Sequence, residues 1–304
     1  MASTYYKNVM LVGATGNLGK YILESLLADS SFFVTVLTRI NSSATFPSNV
    51  NLIKTDYSDT KALVKALSDQ DVVISAVGGE GLAVNFDLTL VQAALNAGVK
   101  WFIPSEFGID TSHSTIANNP VLASKRAVAY FLKENQARIA HTFIITGIFL
   151  DWGFENGFLG FDITNRIATL YDEGKHLVSG TTLPHIGQAV VAVLHHPQAT
   201  QNNRIYIADT TFTQQEALFL FEKYTKSKWT TKQVTTESLL KQGAKSFAKG
   251  DTMTAIISYL LSAIYSGQGA SNFENKTNNE ALNLKTKSLR RIAKKAVLKK
   301  NCAN

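Results

Sequence analysis

The sequence predicts an α/β protein, a Rossmann-type doubly wound parallel sheet with a smaller interleaved α+β cap region. Three observations carry this expectation. Short apolar runs alternate with helical patterns through the first 150 residues. Those runs are near-continuously apolar and rich in Val and Ile, as strands are when helices cover both faces of a sheet. A glycine-rich turn joins the first run to the first helical pattern, the arrangement of a dinucleotide-binding unit. Serial βα units of this kind imply right-handed crossovers.

Taken in order, strands are expected at 8–13 (NVMLVG), 32–38, 50–55, 71–77, 100–105 and 141–147. Helices are expected near 17–29, 59–69, 82–97 and 118–135. After residue 150 the rhythm breaks: DWGFENGFLGFDITN mixes Gly, aromatics and turn formers, and reads as irregular loop with short helical pieces. A helix at 186–195 and a strand at 204–209 return to the sheet, followed by helices around 213–224 and 252–266 and a polar loop near 267–280. The expected division is therefore 1–150 plus about 186–209 as the nucleotide-binding domain, with 151–185 plus 210–304 as the substrate region.

Composition excludes several classes. Hydrophobic residues make up 45% and charged residues 17%, ordinary for a globular chain. The one cysteine, Cys302, rules out a disulfide framework and a cysteine metal site, and fits a reducing, cytoplasmic compartment. No leader-like apolar stretch opens the chain, and no run approaches a membrane span of ~18 residues. The net charge of +7 is local: 281–304 holds eight Lys or Arg and no acid, leaving −1 on the rest. In that segment Leu289, Ile292, Ala293, Ala296 and Val297 form one helical stripe, so a docked helix with solvated lysines is expected rather than a nucleic-acid or membrane partner. A metal site is not expected, because His185, His195 and His196 lack the carboxylate or spaced-ligand company of one.

The chemistry begins at Gly13–Gly19, G-A-T-G-N-L-G, between strand one and helix one. Gly13 permits a tight turn, Gly16 lets backbone approach a pyrophosphate, and Gly19 permits close helix–strand packing. The helix start adds free N–H groups and a positive dipole end. An NAD site would place a carboxylate about 20 residues on, for the ribose 2′-OH. Here strand two ends in Arg39, and no Asp or Glu occurs from Ser30 to Lys54. A guanidinium suits a 2′-phosphate, so NADPH is the expected cofactor.

With these features, WFIPSEFGID (101–110) and Lys125 in the following helix, the chain resembles the isoflavone reductase-like family. These are NmrA-like, atypical short-chain dehydrogenases that include phenylcoumaran benzylic ether and pinoresinol–lariciresinol reductases. The likeness spans 8–150, is most specific at P-S-E-F-G (104–108), and continues more loosely through TGIFLDWG (146–153). Its texture is most similar to fungal members. The resemblance implies an NADPH-dependent reductase acting on phenolic or polyketide-like molecules. It implies that Gly13, Thr15, Gly16, Asn17, Leu18 and Gly19 hold the pyrophosphate, that Arg39 holds the 2′-phosphate, that Ala76, Val77 and Gly78 line the cofactor cleft, and that Lys125 is catalytic. Two positions depart from the family: Ala129 stands where many relatives have arginine, and the loop after Arg39 has no second basic residue.

Short-chain enzymes commonly pair a tyrosine with the lysine four residues later. That position is Val121, and Tyr130 falls on another helical face, so Lys125 must work without a tyrosine. A desolvated ammonium beside a bound nucleotide can serve as general acid or base and stabilise developing negative charge. His113 and the rings Phe149, Trp152 and Phe154 are the substrate-contacting candidates. Ser105 reads as a cofactor-facing loop residue rather than a proton donor. The expected activity is hydride transfer to a conjugated phenolic, enone or quinone-methide-like substrate. An NADP(H)-sensing regulator without turnover, and a redox-neutral enzyme in the same pocket, stay open as alternatives. The sequence allows a homodimer without requiring one.

Overall fold

The computed structural model describes residues 6–78 and 86–302, and the chain divides into two compact units. The first comprises 1–107, 122–144 and 186–205, the second 108–121, 145–185 and 206–304. The expected helix at 82–97 lies in part outside the described residues.

The first unit is built on a seven-stranded sheet. Its strands are β1 (Asn8–Val12), β2 (Phe33–Arg39), β3 (Asn51–Thr55), β4 (Val72–Ser75), β5 (Trp101–Ile103), β6 (Ala140–Ile145) and β11 (Asn203–Tyr206), in the order β11-β6-β5-β4-β1-β2-β3. Parallel pairing runs from β3 through β6, with Val9 opposite both Val34 and Val72. Its helices include α1 (Gly19–Leu27), α2 (Thr60–Leu67), α3 (Phe86–Ala97) and α4 (Ala123–Glu134). The middle strands are buried on both faces, Val72, Val73 and Ile74 completely so, which is why their sequences lack alternation. Strand order reverses between β1 and β4, and sheets of this kind bind ligands beyond the carboxyl ends of the strands at that switch point.

Helix α4 starts later than expected. Residues 114–116 and 120–122 form short 3-10 turns, and the α-helix runs from Ala123. Pro120 and Asn119 account for this: the Asn119 carboxamide oxygen accepts the Val121 N–H at 3.2 Å, an Asx turn that competes with helix. Val121 thus lies in the short 3-10 turn that precedes the helix carrying Lys125.

The second unit contains two three-stranded sheets. One orders β7 (Ile148–Phe149), β10 (Val178–Thr181) and β12 (Thr210–Phe212) as β12-β10-β7; the other orders β8 (Phe161–Asp162), β9 (Ile167–Tyr171) and β13 (Thr230–Val234) as β13-β9-β8. Its helices are α5 (Leu150–Glu155), the start of α6 (Leu183–His195), α8 (Gln214–Thr225), α9 (Thr236–Ala248), α10 (Thr252–Tyr265) and α11 (Leu289–Cys302); the short α7 (Pro197–Thr200) belongs to the first unit. The basic terminal helix α11 buries Ile292, Ala293, Ala296 and Val297 against α5 and α8, with Lys299 paired to Glu155 at 2.6 Å.

The aromatics after β6 divide into core and half-exposed rings. Phe154 is fully buried among Phe161, Phe212 and Phe221, with ring centroids 5.7, 6.0 and 5.0 Å away. That corrects its expected role as a substrate contact, since no face of the ring is open to a ligand. Phe154→Ala is expected to cost about 3–5 kcal/mol of stability in chemical denaturation, from lost transfer energy plus a cavity.

Candidate active site

The first unit builds a glycine turn shaped by backbone. Gly13 follows β1 with φ +86°, and a Cβ there would lie 2.8 Å from the carbonyl carbon and oxygen of Ala76. The Gly16 N–H donates to the Gly13 carbonyl at 3.0 Å, closing the turn. A Cβ on Gly19 would fall 2.0 Å from the Gly13 carbonyl oxygen, so helix α1 can start against the strand only without a side chain. No side chain caps α1, and Thr15, Gly16 and Asn17 are exposed while Leu18 is buried. The helix start therefore presents backbone donors and a positive dipole end to solvent, where an anion can use them. Across the switch point the Ala76 N–H donates to the Val12 carbonyl at 2.8 Å, which sets Ala76, Val77 and exposed Gly78 beside the turn.

Arg39 is the last residue of β2 and is exposed; its carbonyl accepts the Ser42 N–H at 2.9 Å, folding the next loop back. Beside it, Tyr57 donates its hydroxyl to the Leu37 carbonyl at 3.0 Å and stacks on Phe86 at 4.6 Å. Burial pushes the Tyr57 hydroxyl up to about 12, against the opposing pull of the Arg39 charge. This ring was not singled out by the sequence, because an isolated Tyr after an edge strand carries no pattern.

Lys125 lies in the first turn of α4, half-buried, and its ammonium donates to the Glu106 carbonyl at 2.8 Å. Burial holds its pKa below the ordinary lysine range, with the Glu106 and Asp87 carboxylates pulling it back up. Glu106 is itself buried, at 2% exposure. Asp87, at the start of α3, accepts from the Ser75 hydroxyl at 2.5 Å and from the Ser105 N–H at 3.0 Å. Burial raises the Asp87 pKa, opposed by those two hydrogen bonds and by the Lys125 charge. Ser105 thus takes part through its backbone. Sequence reading missed Asp87; the signal available was one acid opening an otherwise apolar helix, FDLTLVQAALNA.

In the second unit, His113 caps a 3-10 turn: its Nδ1 lies 2.8 Å from the Thr115 hydroxyl and accepts the Thr115 N–H at 3.4 Å. That gives the imidazole a local structural task. Phe149 and Trp152 are half-buried, and Trp152 packs beside Phe158 at 5.6 Å. His185 does have a carboxylate partner, Asp209, with Nδ1 and Oδ1 2.7 Å apart and both side chains fully buried. The same aspartate accepts the N–H and hydroxyl of Thr182 and the N–H of Lys287, so the pair fastens the start of α6 to the terminal segment. Among the described residues no three His, Cys, Asp or Glu gather where a metal could be held.

Oxidoreductase aprR of Aspergillus flavus is 37% identical over 246 residues, 80% of this chain and 82% of that protein. Oxidoreductase poxI of Penicillium oxalicum is 32% identical over 266 residues, 82% and 83% of the two chains. The solved structure of AtPrR2 with NADP+ and (+)pinoresinol superposes with a TM-score of 0.79 at 24% identity, covering 96% of this chain and 99% of that one, and shows the shared fold. The NmrA-like family model matches residues 6–286. The chain belongs to the NmrA-like family.

Proposed function

We propose that the protein is an NADPH-dependent reductase that delivers hydride to an electrophilic carbon of a conjugated phenolic, enone or quinone-methide-like small molecule. The observation that carries this reading is Lys125, a half-buried ammonium fixed on the Glu106 carbonyl in the same unit as the glycine cradle. The names of the fungal relatives, both oxidoreductases, support it, as do the NADP+ and (+)pinoresinol in the structure of similar fold.

The cradle fits a dinucleotide. The collisions that a Cβ would make at Gly13 and Gly19 show a turn shaped by backbone alone, and the uncapped start of α1 offers donors to a pyrophosphate. Gly13, Thr15, Gly16, Asn17, Leu18 and Gly19 would hold that group, Ala76–Gly78 would line the cleft, and Arg39 would take the 2′-phosphate. The bound cofactor supplies the hydride. Lys125 then supplies the proton that the reduced substrate needs at oxygen, and its positive charge stabilises the negative charge that develops there first. Burial favours proton donation, because it destabilises the charged form of the lysine. Phe149 and Trp152 offer half-buried ring faces suited to a flat aromatic substrate.

The test is substrate-dependent loss of reduced-nicotinamide absorbance across a panel of phenolic and enone compounds, with NADPH and NADH compared. Turnover with NADPH is the expected result. Tight NADPH binding without turnover anywhere on the panel would favour a cofactor-sensing protein instead. Arg39→Ala is expected to weaken NADPH binding by roughly tenfold or more while leaving NADH binding nearly unchanged, measured by nucleotide fluorescence, since a charge-assisted contact is worth about 1.5–3 kcal/mol.

A further inference from the structure

We propose that Asp87 is a positioning residue that couples the cofactor-lining loop at 76–78 to the Lys125 ammonium. The inference rests on the role of Lys125 given above. It begins from a continuous run of contacts inside the first unit. The Val77 N–H donates to the Ser75 hydroxyl oxygen at 3.4 Å, and that hydroxyl donates to Asp87 Oδ1 at 2.5 Å. Asp87 Oδ2 accepts the Ser105 N–H at 3.0 Å, and the next residue, Glu106, presents the carbonyl that receives Lys125 Nζ at 2.8 Å. One carboxylate thus ties the end of β4 to the loop after β5, and through that loop sets where the lysine is anchored.

A structural tie alone would not call for an acid. The N–H of Ser105 could be met by an asparagine oxygen, and an asparagine N–H could donate to the Ser75 oxygen in place of the present bond. Burying a carboxylate is costly unless a nearby cation offsets it. Here Lys125 is that cation, and the charged groups acting on it are Glu106 and Asp87. Asp87 therefore does two things: its geometry fixes the Glu106 carbonyl, and its charge favours the ammonium form. With no tyrosine at 121, Lys125 is the proton donor of this reading, and Glu106 and Asp87 are the carboxylates whose charge favours its ammonium form.

The two contributions separate experimentally. Asp87→Asn, with its carboxamide oxygen toward Ser105, keeps the Ser105 bond, replaces the Ser75 bond by one of reversed direction, and removes the charge. Asp87→Leu removes both. The readout is the titration of Lys125, followed by NMR on protein carrying 13Cε-lysine, with Lys125→Arg used to assign the resonance. It needs no substrate, so it is readable even if no compound on the panel is turned over. Asp87→Asn is expected to lower the Lys125 midpoint by about one pH unit, the scale on which an opposite charge shifts a buried ammonium, with NADPH affinity unchanged. Asp87→Leu is expected to lower the midpoint and also weaken NADPH binding, because the 76–78 loop loses its tie. A Lys125 titration in Asp87→Asn that overlays the parent curve overturns the proposal, whatever Asp87→Leu does to thermal stability. Should turnover be found, Asp87→Asn is expected to lower kcat with little change in KM, and to move the alkaline limb of the pH profile to lower pH.

Discussion

Lys125→Met is expected to lower kcat by about 10²–10⁴-fold, the range a positioned general acid contributes. Methionine keeps the length and apolar stem of the side chain and removes the ammonium, so the Glu106 carbonyl loses its donor, now at 2.8 Å. Lys125→Arg divides the two roles left open by the missing tyrosine. A guanidinium keeps the positive charge and can reach the carbonyl, yet it cannot release a proton at any working pH. If Lys125 only orients the nucleotide, Lys125→Arg retains most of the turnover and of the NADPH affinity. If it donates the proton, affinity survives and turnover falls nearly as far as in Lys125→Met. The pH profile supplies the matching sign. A general acid must be protonated to act, so the rate falls as pH rises through its pKa. Burial places the Lys125 pKa below the ordinary lysine range, and the alkaline limb of kcat/KM is expected there, absent in Lys125→Arg.

Legibility in the sequence followed the range of the forces involved. The glycine turn, the parallel strands and α1 were readable because backbone sterics and the helical and strand periods act over a few residues. The small strands β8, β9 and β13 were not: β13, TTKQV, is mostly exposed and polar, and it is a strand because Thr230–Val234 pair with Ile167–Tyr171, a partner some sixty residues away. Helix α9 escaped notice because TESLLKQGAKSFA is polar with a central glycine; that glycine, Gly243, lies where the Tyr259 ring of α10 packs close, 3.0 Å from a notional Cβ. Among site residues, Lys125 was reachable only through the family resemblance. Its charged surroundings, Asp87 and Glu106, come from α3 and the β5 loop, and no local pattern links them. Phe154 and Trp152 show the same limit, since two residues of one short helix divide between core and half-exposed surface according to what packs on them.

Gly19→Ala and Gly16→Ala are expected to fail in different ways, and the contrast tests whether the cradle holds a ligand. Replacing glycine by alanine in a helix normally gains up to about 1 kcal/mol of helix propensity. At Gly19 that gain is overwhelmed, because the new Cβ would lie 2.0 Å from the Gly13 carbonyl oxygen and 2.8 Å from its carbon. Both neighbours are backbone, so relief requires moving α1 away from β1 at the centre of the sheet, where Ile22 and Leu26 are fully buried. The expected loss is about 3 kcal/mol or more, the upper end for overpacked sites, seen as a lowered denaturation midpoint with or without nucleotide. At Gly16 the nearest atom to a new Cβ would be the Gly13 oxygen at 3.2 Å, a tight contact that a shift of a few tenths of an ångström relieves. Gly16 is exposed and its side faces solvent. The fold should therefore tolerate alanine there to within about 1 kcal/mol, whereas a pyrophosphate brought against the backbone would meet the methyl group. A Gly16→Ala protein of near-parent stability that binds NADPH at least tenfold more weakly would assign that glycine to the ligand rather than to the turn. Undiminished binding would mean that the phosphates do not approach the chain at Gly16, and the placement of the cofactor over the start of α1 would have to be abandoned.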